Sequence, residues 1–189
     1  MPRSDAVVNR DRIVEAARDA LSDSNGSADE LKLQLVAKAA GVGQGTLYRH
    51  FPTREHLLAE VYRQELTELV AEVDPLLAAH TPVEALTQWL QRLVGYARVK
   101  RGVMAAIEAS AWRDLYADQH QRLDDAVQRL VRAGQDAGQI RGGVDATDVI
   151  LLLGALSRIP QSEFDARSVV VVTVVVEGLR ARPADPSEG

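Results

Sequence analysis

Residues 41–51 read GVGQGTLYRHF. Glycines alternate at Gly41, Gly43 and Gly45, and Thr46, Tyr48, Arg49 and His50 follow at once. Hydroxyls, an imidazole and a guanidinium donate hydrogen bonds, and bare backbone lets a partner come close. That combination holds an anion rather than making or breaking a bond. Around it, residues 31–54 contain Lys32, Lys38, Arg49 and Arg54 and no Asp or Glu. The glycines are not the dinucleotide fingerprint, which has another spacing and follows a strand.

Such a segment needs a rigid support, and the periodicity supplies helices. Ile13, Val14, Ala17, Ala20 and Leu21 recur at three- and four-residue spacing, with Asn9 or Asp11 as a cap and the turn residues 23–27 as the end. A short helix is expected over about Leu33–Ala40 and another over about Gln44–His50, which Pro52 stops. Two short helices with a glycine at the turn make a helix-turn-helix. Val42 and Leu47 would lock the second helix onto the first. Gly43, Gln44, Gly45, Thr46, Tyr48, Arg49 and His50 would then face outward. Glutamine pairs with adenine edges and arginine with guanine, so Gln44 and Arg49 are base readers. Thr46, Tyr48, His50 and Lys38 suit phosphate oxygens, and the helix opening at Thr53-Arg54 offers free amides to another phosphate.

The stretch LVAKAAGVGQGTLYRHFPTREHLLAEVY resembles the DNA-binding region of the TetR family of bacterial transcriptional regulators. The resemblance runs from Ile13 to about Tyr62. It rests on Val36-Ala37, Ala40-Gly41-Val42, Gly45 to Phe51 and Arg54 to Leu58. There are two departures. Gln44 stands where the family often has lysine, and Lys32 where it often has a capping Ser or Thr. The resemblance implies an all-α protein of about nine helices. A DNA-binding domain would cover residues 1–53, a long helix about 54–73, and a regulatory, dimerising domain 75–189.

The rest of the chain reads as helix too. Pro75 and AAHTPVE mark a break, and Thr81-Pro82-Val83-Glu84 is a capping box with proline first. Helices are expected over about 82–99, after Gly102 through Ala111, over about 115–137, over about 145–159 and over about 165–182. Val169–Val176 is β-branched throughout, which alone suggests a strand. No partner strand is found, and a lone buried strand leaves its backbone groups unpaired. The run is therefore expected to be a helix that is apolar on nearly all sides. By analogy with the family, the last two helices pair with their counterparts in a homodimer, through Leu152, Gly154, Ala155, Val171 and Val175. A twofold dimer places two recognition helices about 34 Å apart, matching a palindromic operator. A cavity among the middle helices would expose Trp89, Tyr96, Met104, Glu108, Trp112 and Tyr116 to a small-molecule effector.

Composition bounds the alternatives. The 189 residues are 46% hydrophobic and 26% charged, an ordinary globular mixture. Without cysteine there is no disulfide and no thiolate chemistry. The net charge of −5 argues against nucleic acid until its placement is seen: residues 1–63 hold nine basic and nine acidic side chains, so the deficit lies beyond them. No apolar run approaches the roughly 18 residues of a membrane span, and the first residues carry no apolar core of signal-peptide length. A soluble, cytoplasmic protein with no cofactor is expected. The histidines at 50, 56, 80 and 120 show no metal-ligand spacing, and no nucleophile motif or phosphate loop occurs. An enzyme is therefore not expected. The leading reading is a DNA-binding repressor released by a small molecule. The alternative is a DNA-binding regulator without an effector.

Overall fold

The computed structural model of this chain describes residues 3–23, 31–106 and 109–181, and the side chains of 5–22, 31–101, 103, 104 and 121–181. Its helices are α1 (Arg3–Asp23), α2 (Leu33–Ala39), α3 (Gln44–His50), α4 (Arg54–Ala71), α5 (Val73–Ala79), α6 (Pro82–Ala106), α7 (Ala109–Asp136), α8 (Ala146–Leu153) and α9 (Phe164–Leu179). The fold is all-α. Among the described residues the extended pairing is one isolated bridge, Ile140 to Arg180.

The chain divides into two compact units. One comprises Met1–Leu66 with Tyr96–Ala117, the other Thr67–Gly95 with Asp118–Gly189. The division thus falls inside α4, α6 and α7. Helix α4 ends at Ala71, and Pro75 falls in the first turn of the short helix α5, where a missing N–H costs nothing; His80 and Thr81 separate α5 from α6.

In the first unit, Ile13, Val14, Ala17 and Leu21 of α1 are buried together with Val36, Ala37 and Ala40, Leu47, Phe51, and Leu57, Leu58, Val61 and Tyr62 of α4. Burying each large side chain here contributes roughly 1.5–3 kcal/mol, which is what gives helices as short as α2 and α3 their stability. Helix α1 begins at Arg3, so Asn9 and Asp11 lie inside it rather than capping it. A tertiary anchor accounts for the added turns: Arg10 donates to Glu60 of α4 at 2.8 Å and stacks over the Phe51 ring at 5.3 Å. The turn expected at 23–27 lies mostly outside the described residues.

In the second unit Trp89 is fully buried and its indole N–H donates to the Leu69 carbonyl at 2.8 Å. Helix α6 runs unbroken through Gly95 and Gly102, where sequence spacing suggested two helices. Leu93, Tyr96, Val99 and Val103 are buried along it, and that burial outweighs about 1 kcal/mol of lost propensity per glycine. Helix α7 closes at Gly138 with φ +66°, the Gly138 and Gln139 amides donating to Gln135 and Gly134. Asp145 and Asp148 cap α8 reciprocally.

Helix α8 stops at Leu153, and Gly154–Arg158 tightens into a 3-10 turn where the sequence suggested helix to 159. Ser157 Oγ donates to the Gly154 carbonyl at 2.7 Å, and Pro160 has no N–H with which to continue the ladder. The valine run is helix, as expected. Val172, Val175 and Val176 point into the unit, while Val169, Val170 and Val174 are exposed.

Candidate nucleic-acid interface

The site is built on the turn between α2 and α3. Ala40 ends α2, Gly41 takes φ +66°, and the Gly41 and Val42 amides donate to Lys38 and Ala37. This double bond closes the helix in a left-handed residue that a Cβ would strain. Leu47, fully buried, then pins α3. As the sequence suggested, Lys32 precedes α2 without a side-chain cap.

With Leu47 inward, the other side of α3 is open. Gln44, Gly45, Tyr48 and Arg49 are exposed, with Gly43 at the N-cap, while Thr46 and His50 are half-buried. Tyr48 keeps 46% of its surface in solvent, and among the described residues no ring stacks on it. Arg49 folds back along its own helix: its Nε donates to the Gly45 carbonyl and Nη2 to Thr46 Oγ1, both at 3.1 Å. Thr46 and Arg49 therefore form one exposed polar unit. Lys38 stands exposed on α2.

Neither backbone nor packing calls for glycine at 43 or 45. Gly43 has φ −69° and ψ 148°, open to any residue, and nothing lies within 4 Å of a Cβ placed at either position. Gly45 lies within a helix, where glycine is the costlier choice.

The turn into α4 carries a contact that sequence spacing missed. Thr53 Oγ1 lies 3.0 Å from His56 Nδ1 and accepts from the His56 amide at 3.4 Å. Thr53 also hydrogen-bonds the Glu55 carboxylate and holds it below the usual carboxylate range, aided by the amide of Glu55 itself. The Thr53 hydroxyl is thus engaged as a helix cap, with His56 as its neighbour. The N-cap-to-third-residue spacing of Thr53 and His56 was the available signal. Arg54, half-buried, opens α4. Among the described residues no cluster of His, Asp and Glu could hold a metal ion.

Of the effector residues suggested by the sequence, the side chains of Trp89, Tyr96 and Met104 are among those described. Trp89 is a satisfied core residue of the second unit, and Tyr96 is buried in the first, its hydroxyl 2.6 Å from that of Tyr62. Both face inward, as their helical spacing suggested, and each hydrogen-bonds within its own unit. Met104 is exposed. Glu108 lies outside the described residues, as do the side chains of Trp112 and Tyr116.

The surface suggested for dimerisation is partly exposed. Leu152, Gly154 and Ala155 are open to solvent and Val171 is half-buried. Val175, at 5% exposure, belongs to the protomer's own core, which corrects its assignment to an outer surface. The outward apolar side chains are Leu151, Leu152, Val169, Val170 and Val174.

Residues 13–61 match the family model for bacterial regulatory proteins of the tetR family, and residues 81–181 match that for the C-terminal domain of SbtR-like transcriptional regulators. The crystal structure of the TetR transcriptional regulator SCO0520 from Streptomyces coelicolor is 36% identical, with 92% of this chain and 99% of that one covered and a TM-score of 0.78. A TetR transcription regulatory protein from Mycobacterium vanbaalenii is 31% identical, covers 95% and 99%, and has a TM-score of 0.69. Among curated proteins, the HTH-type transcriptional regulator UidR of Escherichia coli K12 is 23% identical over 185 residues, 95% of this chain and 93% of its own length.

Proposed function

This chain belongs to the TetR family of bacterial transcriptional regulators, and on that premise we propose that it binds a palindromic operator as a homodimer and represses until a small molecule releases it. It is a DNA-binding regulator and not an enzyme. The DNA contacts we assign are Gly43, Gln44, Gly45, Thr46, Tyr48, Arg49 and His50 around α3, with Lys38, Thr53 and Arg54 flanking them.

One observation carries the assignment. Gly43 and Gly45 have no internal reason to be glycine, yet both lie exposed beside Tyr48 and the Thr46–Arg49 unit. A body outside the protein that comes within van der Waals reach of this helix gives the reason. In a window without acidic side chains, that body is the sugar-phosphate backbone and groove edge of DNA.

Support for the dimer comes from α8 and α9. Leu151, Leu152, Val169, Val170 and Val174 are each more than half exposed, a surface that water disfavours and a second copy would cover. Two copies double the phosphate contacts, on which affinity at cytoplasmic salt depends. A cytoplasmic location follows from this role, and no described helix is long and apolar enough to cross a membrane.

Fluorescence anisotropy on DNA from upstream of the protein's own gene, against an unrelated fragment and over a salt series, tests the reading. The expected result is tight, steeply salt-dependent binding to the first fragment, lost in Tyr48→Ala. Failure to bind any fragment of its own genome in a salt-dependent way would overturn it.

A further inference from the structure

Within the second unit, α6 and α9 diverge to leave a groove of about 330 Å³. Val94, Val172 and Val176 give it an apolar floor, Thr87, Gln91 and Thr173 stand along its walls, and Val169 at its rim belongs also to the apolar surface assigned to the dimer. We propose that this groove binds a small amphipathic molecule with an apolar body and a hydrogen-bond-donating head, in chemical class a lipophilic amine.

Its volume falls in the range of small-molecule sites, as does its mixture of apolar surface with a few polar atoms. The class of ligand follows from where the protons are. Thr87 Oγ1 donates to the Val83 carbonyl at 2.7 Å, and Thr173 Oγ1 to the Val169 carbonyl at 2.9 Å. Ser168, 1% exposed, donates to the Asp165 carbonyl at 3.2 Å. A hydroxyl has one proton, so each of these oxygens is left with lone pairs alone and can only accept. At the far end Arg180 Nε donates to Glu177 Oε1 at 3.0 Å, an exposed pair that offsets its own charge. The Gln91 side-chain amide lines the groove as well, its carbonyl an acceptor and its NH2 a donor. Between α6 and α9 the Thr87 and Thr173 oxygens thus present acceptors over valine methyls. An ammonium head seated between them satisfies both, while a carboxylate at the same place meets their lone pairs.

Trp89 and Tyr96, which helical spacing suggested for an effector, do not line this groove. The site also needs no DNA, so a test of it succeeds or fails independently of the operator reading.

The test is a methyl-resolved NMR titration of the full chain, labelled at valine, with 4-phenylbutylamine and with 4-phenylbutyrate. The amine is expected to shift the Val94, Val172 and Val176 methyls saturably, and the carboxylate to bind about tenfold or more weakly, as charge-assisted hydrogen bonds are lost. Thr87→Val with Thr173→Val keeps the volume and removes two acceptors. It should weaken the amine by about threefold or more per hydroxyl, the size of one net neutral hydrogen bond. Should that variant unfold, Gln91→Ala at an exposed position provides the same test. Equal or tighter binding of the carboxylate would make Arg180 the anchor and overturn the proposal. So would shifts confined to other valines, unchanged affinity in the variants, or a groove silent to the amine because a second copy fills it.

Discussion

The hydroxyls of Tyr62 in α4 and Tyr96 in α6 meet at 2.6 Å, and their rings stack at 5.4 Å with planes 29° apart. Both side chains are buried in the first unit, so this pair ties the long helix that follows the helix-turn-helix to the start of the α6 segment in that unit. Tyr62→Phe and Tyr96→Phe should each cost about 1 kcal/mol, and the double variant less than their sum, because removing the second hydroxyl finds the bond already broken. Urea denaturation of the three variants measures the coupling; strict additivity would mean that the contact contributes nothing.

Gly45→Ala should separate stability from binding. The open space around its Cβ position and its place in a helix predict a gain of up to about 1 kcal/mol in fold stability. The same methyl group would stand between α3 and DNA, so operator affinity should fall. A thermal melt beside an anisotropy titration gives both signs. If the two move together, the glycine serves the fold and not the partner.

The Arg10–Glu60 ion pair predicts an acid dependence. The hydrogen bond from Arg10 holds the Glu60 carboxyl below the usual carboxylate range against the opposing pull of burial, and Glu60 in turn raises Arg10. A depressed carboxylate contributes stability above its unfolded pKa, near 4.3, and loses it as pH falls through the folded value. The Arg10 side chain is 41% exposed, so solvent screening keeps the contribution below about 1 kcal/mol. Denaturation midpoints of the natural protein and of Glu60→Gln should differ at pH 7 and converge near pH 3. A constant gap across that range would exclude the ion pair as its source.

Gly134 is required by packing. A Cβ there would stand 2.4 Å from Ile140 Cδ1 and 2.6 Å from its Cγ1, well inside contact distance. Gly134→Ala should destabilise by about 1–3 kcal/mol through overpacking at the end of α7. Adding Ile140→Ala makes room and should return part of that loss, which a double-mutant cycle on thermal unfolding would resolve.

Much of the DNA-facing part was legible because its signals are local. A left-handed turn residue needs glycine, so Gly41 located the break between α2 and α3 from sequence alone. Leu47 as the inward residue of α3 left the remaining side chains facing out, and the structure places them there. The helical state of Val169–Val176 also followed locally, since the backbone of a lone buried strand has no partner. Other features could not be read that way. The anchoring of Arg10, inside α1 rather than before it, involves Glu60 and Phe51, some forty to fifty residues from it. The continuity of α6 through Gly95 and Gly102 depends on burial that outweighs propensity.

The sequence by itself determined the helical class, the helix-turn-helix and the charge-free-of-acid window that faces a polyanion, because each rests on periodicity or on the conformational limits of single residues. Only the tertiary structure decided which valines of α9 turn inward. The run contains no polar residue except Thr173, so it carries almost no periodic signal, and the choice of Val172, Val175 and Val176 was made by the elements packed against them. Likewise, a buried tryptophan at helical spacing serves core or cavity equally well until its neighbours are known. The Leu69 carbonyl, held in place by α4, is what makes Trp89 a core residue.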